Sequence, residues 1–177
     1  MENFIRDDLI MDDKNMDDPN MGDLETEDDE FLDLDDLHFA RDVLHDCGFA
    51  LVIARVGALL HTSKESGIFP LFHAALSAGD YIDAYVADKV IGKAAALLLL
   101  YMKVAGVYTP VMSKDALRIL KDRGVRVEAD NVVEYIADRN GKGPCPLEIT
   151  VKDIGDDPRE GLAAIAHHFK EMFNVDE

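Results

Sequence analysis

The chain has 177 residues, which suits one domain with a sizeable core plus an appendage. Its formal charge is −18, but residues 1–37 hold 16 acidic residues against Arg6 and Lys14, leaving only −4 for the other 140. A near-neutral body with an acidic tail offers no general basic surface for nucleic acid. Cys47 and Cys145 are too few for a disulfide framework, and no signal peptide or membrane-spanning run is visible. A cytoplasmic protein is expected.

Residues 1–36 mix Asp and Glu with scattered Met, a composition that cannot offset the entropy of ordering and predicts a disordered acidic extension. Met11, Met16 and Met21 offer alternative translation starts. The folded domain is then expected over 37–177. Leu37 to Asp46 reads as a helix capped by Asp35 or Asp36, with Leu37, Ala40, Val43 and Leu44 as its stripe and Gly48 as its stop. Phe49 to Arg55 reads as a buried strand, and Val56-Gly57 as a tight turn into a second strand, Ala58 to Thr62. Ser63 to Gly67 forms a loop, and Pro70 suits the first turn of a helix running to about Ser77.

Tyr81 to Ala87 is short and apolar, as a buried strand would be. Asp88 is placed to cap a switch to Ala and Leu, and Leu97 to Leu100 surround the resulting helix with apolar side chains. Lys89 and Lys93 then share the first turns at i,i+4, where they repel each other and oppose the helix dipole. A compensating negative group is expected there. Val104 to Met112 reads as a strand that Pro110 would place at an edge or end. Ser113 begins a helix ending before Gly124, and Val125 to Glu128 alternates as a short strand. Val132 to Ala137 fits helix or strand, with helix preferred. Asp138 to Gly143 is a loop, a helix starts near Pro144, and Pro158 to Phe173 forms the last one. A hairpin followed by alternating helices and strands predicts an α/β layered domain.

Three pieces, Gly67 to Leu71, Ala87 to Leu97 and Asn140 to Glu148, resemble the domain-of-unknown-function family DUF1893. The likeness spans residues 37–173. It implies a cytidine-deaminase-like fold, a three-layer α/β/α sandwich with a mixed sheet. It implies no activity, since the family has none assigned and fold is a poor guide to chemistry. Zinc deaminases need a His or Cys, a Glu two residues on, and a Pro-Cys-x-x-Cys pair. Here the two helix starts read Asp88-Lys89-Val90, with neither ligand nor Glu, and Pro144-Cys145-Pro146-Leu147-Glu148, with one cysteine where two are needed. A zinc-independent domain is expected, with no metal and no cofactor.

Each candidate residue carries two readings. Cys145 lies between two prolines at a helix start, where the dipole favours the thiolate, and is either a reactive thiol or a small apolar filler. Lys89 and Lys93, with Gly92 allowing close approach, either bind a phosphate or carboxylate, or Lys89 pairs with Asp88 or another acid while Lys93 reaches solvent. Arg139, Asn140 and Lys142 either form an anion-binding loop or, the preferred reading, a solvated one. Glu148 is an acid or base on the Cys145 face, or simply favourable charge in a first helical turn. His167 and His168 read as polar surface of the amphipathic last helix, and His38, His45, His61 and His73 show no ligand spacing.

The preferred function is binding of a small anionic or nucleotide-like molecule between the Lys89/Lys93 helix start and the Cys145 loop. In an enzymatic version Cys145 is the nucleophile, Lys93 stabilises charge, and Asp88 or Glu148 handles a proton. The alternative is a non-catalytic interaction or regulatory module docking a protein partner. No nucleic-acid or membrane partner is expected.

Overall fold

The computed structural model describes residues 35–77 and 79–173. The expected acidic extension, apart from Asp35 and Asp36, lies outside them.

Helix α1 (Asp36–Asp46) starts where Asp35 accepts the N–H groups of Leu37 and His38, at 3.1 and 3.4 Å. Its buried residues Leu37, Ala40 and Leu44 recur at helical spacing. Asp36 does not cap the helix. Its carboxylate reaches across to the hairpin between β1 (Leu51–Arg55) and β2 (Ala58–Ser63), accepting the N–H groups of Val56 and Gly57 at 2.6 and 2.7 Å. Both turn residues have positive φ, the geometry a two-residue hairpin requires. Asp35 and Asp36 therefore belong to the folded body.

Helix α2 (Phe69–Leu76) carries Pro70 in its first turn, as expected. The next strand is shorter than its apolar pattern: β3 spans Tyr85–Asp88, because Asp83 takes a positive φ and turns the chain just before it. A two-residue strand β4 (Val90–Ile91) follows, and only then does α3 (Lys93–Met102) begin. Asp88 is consequently the end of a strand, not a helix cap, and Lys89 lies outside the helix. The two lysines do not share a helical turn, so the expected repulsion at i,i+4 does not arise.

Strand β5 (Gly106–Ser113) is followed by α4 (Lys114–Asp122), β6 (Arg126–Val133), α5 (Pro146–Thr150) and α6 (Pro158–Phe173). The strand pattern of Val125 to Glu128 continues through Val133, so the preferred helix over Val132 to Ala137 does not form. Its parallel partner β5 supplies hydrogen bonds that local propensity could not announce.

The sheet has six strands and is mixed. β1 pairs antiparallel with β2 and β3, while β3, β4 and β6 all pair parallel with β5. Tyr85 pairs with Gly106 and Ile91 with Met112, both 21 residues apart. β4 therefore continues β3 along one edge of β5, and β6 occupies the other. The break between them, Asp88-Lys89, falls opposite Thr109-Pro110 at that offset. This accounts for Pro110 in a central strand: the ladder has already parted where its N–H is missing.

Alternation along the strands feeds two clusters. Val52, Ala54, Ala87 and Tyr108 pack with Leu37, Ala40 and Leu44 of α1. Leu51, Ile53, Val86 and Val107 join the larger cluster with α3, and α3 is buried from Lys93 through Leu99. Gly161 lets α6 approach α3, since a Cβ there would lie 2.7 Å from Leu97 Cβ. Any side chain at that position would force these helices apart.

Candidate functional site

Two regions gather chemically able side chains. The first is the start of α3. Its N-cap, Gly92, has no side chain to accept the free N–H groups, and Glu148 of α5 supplies the missing acceptor: Oε1 takes the Lys93 N–H at 2.7 Å. A Cβ on Gly92 would sit 2.0 Å from that oxygen and 2.9 Å from Ile136 Cγ1. Gly92 does permit a close approach, and what approaches is a carboxylate of the chain itself. Burial pushes the Glu148 carboxyl above its usual range, partly opposed by the Lys93 N–H bond.

Lys93 is buried, and its ammonium donates to the carbonyls of Lys152 and Ile154 at 3.2 and 2.5 Å. It anchors the chain leaving α5. A buried ammonium held by two carbonyls has little capacity left for a ligand. Cys145 is the N-cap of α5, half-buried, with its N–H given to Ile136 O at 2.8 Å and no side-chain cap bond. The expected helix start near Pro144 moves to Pro146. The loop before it is already satisfied from within: Asp138 Oδ1 accepts the N–H groups of Asn140 and Lys142 at 2.9 and 3.0 Å. Arg139, Asn140 and Lys142 are exposed. The structure thus brings Gly92, Lys93 and Glu148 together beside the Cys145 helix and leaves Lys89 elsewhere.

Asp88 is buried, with Oδ1 accepting the Val90 N–H at 3.2 Å. Desolvation pushes its carboxyl up to about 7, against the lowering effect of the Val90 and Lys89 N–H groups.

The second region lies against α1. Lys89 is exposed and, with Leu44, His45, Gly48 and Pro110, lines a recess of about 350 Å³. It forms no ion pair among the described residues. His45 Nε2 lies 2.8 Å from the Tyr108 hydroxyl, which donates to Asp130 Oδ2 at 2.8 Å. Burial and the Asp130 carboxylate push the Tyr108 hydroxyl up to about 12, so it stays a donor at neutral pH. Further along α1, His38 lies between Asp35 and Glu128 at 3.1 and 3.3 Å, and Arg126 forks onto Asp35 at 2.9 Å through both nitrogens. Arg126 holds the Asp35 carboxyl below its usual range.

Sequence spacing did not reveal this second region. His38 and His45 are seven residues apart and so share a helix face, while Glu128 and Asp130 share a strand face, but only the packing of α1 on the sheet joins them. Among the described residues no group of three or more His, Cys, Asp or Glu is arranged to hold a metal. Of the two helix starts compared with a zinc deaminase, α3 begins at Gly92-Lys93 rather than Asp88-Lys89 and carries no Cys, His or Glu there, and α5 begins at Cys145-Pro146, with its single Cys and Glu148. No described helix is long and apolar enough to cross a membrane.

No curated protein matches the chain. A crystal structure of a DUF1893 family protein, TM1506 from Thermotoga maritima at 2.70 Å resolution, is similar to it, with 29% identity and a TM-score of 0.69. The match covers 75% of this chain and 89% of that one. Residues 39–169, which hold α1 almost entire, the whole sheet and most of α6, match the family described as a domain of unknown function, DUF1893. The chain belongs to that family.

Proposed function

We propose that this protein binds a small anionic or nucleotide-like molecule on a zinc-independent, cytidine-deaminase-like sandwich. The two apolar clusters on opposite strand faces, and the antiparallel β1 beside parallel β3, β5 and β6, support the three-layer reading. The ligand site is the Lys89 recess. The observation that carries it is the contrast between the lysines: Lys93 is buried with its ammonium held by two backbone carbonyls, whereas Lys89 is exposed, without an ion pair among the described residues, and lines a concavity beside His45. Cys-dependent chemistry at Cys145 is a further option, since Glu148 stands three residues on along α5.

Titration with inorganic phosphate and with a nucleoside monophosphate, read by calorimetry, tests the reading. Lys89→Met should abolish the binding that wild type shows. Alkylation of Cys145 should proceed at the same rate with and without phosphate. Protection of that thiol would instead place the ligand at the α3–α5 corner.

The second reading, a protein-interaction module, has its own support. A groove of about 1020 Å³ runs between α2, the end of α3 and α6, and Leu76, Ile82 and Tyr101 on its walls are each 40% exposed or more. Absence of any anion binding, with protease protection of this groove by a partner, would favour it.

A further inference from the structure

The Lys89 recess has a second functional group whose state can be derived from its hydrogen bonds. Tyr108 has one hydroxyl proton, and the bond to the Asp130 carboxylate uses it. Towards His45 the same oxygen can only accept, so His45 Nε2 must carry the proton in the 2.8 Å contact. A neutral imidazole holding its proton on Nε2 has a lone pair on Nδ1. His45 lines the recess together with Lys89, while its Nε2 edge is committed to Tyr108. The two rings also pack edge-on, 5.6 Å between centroids and 68° apart.

Resting on the anion-binding reading above, we propose that His45 is a ligand-contacting acceptor in the recess and that Tyr108 and Asp130 are its positioning residues. The ligand class follows from the pair of contacts. Lys89 calls for negative charge, and the Nδ1 lone pair calls for a hydrogen-bond donor. One group supplies both: a protonated oxyanion such as inorganic hydrogen phosphate, whose P–O⁻ meets the ammonium and whose P–OH donates to Nδ1, whereas a phosphate monoester, with a second pKa of about 6, has mostly lost that donor at neutral pH. A fully deprotonated oxyanion of the same size, or a sulfate, lacks the donor. The recess at about 350 Å³ suits a ligand no larger than a small metabolite.

Nuclear magnetic resonance of the full-length protein with ¹⁵N-labelled histidine and ¹³C-labelled lysine tests this, using inorganic phosphate as the probe and sulfate as its donor-free counterpart, with Lys89 identified by the signal missing in Lys89→Met. His45 is identified by the signal missing in His45→Gln. In wild type the His45 Nε2–H proton should be directly observable at neutral pH, protected by Tyr108. Tyr108→Phe, and independently Asp130→Ala, should make that proton exchange too fast to see. Phosphate should shift His45 Nδ1 and the Lys89 side chain together, with sulfate binding about three- to tenfold weaker, the worth of one hydrogen bond. An unprotected Nε2–H in wild type, or one indifferent to both variants, would overturn the inference whether or not phosphate binds. Phosphate shifting Lys89 without His45 would overturn it and leave the anion-binding reading standing. Phosphate moving neither group would remove both.

Discussion

The start of α3 and the recess at the end of α1 are assembled from similar parts, each with a lysine, a glycine and a group able to take a proton. At α3 the parts consume one another: Glu148 caps the helix, Gly92 makes room for it, and Lys93 spends its ammonium on two carbonyls. At the recess they do not. Lys89 and His45 line the same recess, and among the described residues the histidine ring's one hydrogen-bond contact is from Nε2 to Tyr108. The difference teaches that a charged residue at a helix start is not in itself a site. What matters is whether the chain has already satisfied it.

The largest effect expected from disturbing this arrangement belongs to Asp88, which ends β3 immediately before Lys89. Its folded pKa of about 7 is above the unfolded value, so the stabilisation it contributes is complete below pH 4 and is lost as pH rises through 7. Relative to Asp88→Asn, wild type should lose on the order of 4 kcal/mol between pH 4 and pH 8. Urea unfolding at several pH values measures the difference. A pH-independent gap would mean that the carboxylate is comfortable when charged.

Next comes the lysine pair. Lys93→Met leaves the carbonyls of Lys152 and Ile154 without their charged donor and should cost about 3 kcal/mol. Lys89→Met, on an exposed side chain, should stay within about 0.5 kcal/mol while removing anion binding. Equal costs would erase the distinction on which the functional reading stands.

A smaller effect isolates the cap. Gly92→Ala has no backbone strain to add, since φ is −97°, but its Cβ displaces Glu148. It should cost about 1–2 kcal/mol, as should Glu148→Ala, and the double variant should cost little more than either alone. Additive costs would show that the two residues act separately. The smallest expected change follows removal of residues 1–33, ahead of the Asp35 and Asp36 contacts, which should move Tm by no more than about 2–4 °C. A much larger drop would show that the extension contributes to the fold.

Local chemistry made much of this legible. The helix of Leu37 to Asp46, the Val56-Gly57 turn, the Pro70 helix and the Ser113 cap all form where short-range spacing placed them. A compensating acid was expected from two lysines read into the first turns of an Asp88-capped helix; only Lys93 lies in that helix, and the acid found there, Glu148, accepts its backbone N–H. Which acid it would be was not readable, since Glu148 stands 55 residues away. Lys89 was misplaced for a related reason: a two-residue strand has no periodicity, and only pairing with Val111 and Met112 makes β4 a strand.

What depends on neighbours a few residues apart could be read along the chain: helix stripes, caps, turns and the charge of the body. The tertiary structure alone decided what depends on separation in space. It buried Asp88, closed Lys93 onto the end of α5, carried β6 beyond its local pattern, and brought Tyr108 and Asp130 to His45 from 63 and 85 residues along the chain. Desolvation and hydrogen-bond satisfaction are set by everything packed around a group, and that surrounding exists only once the sheet and helices have met.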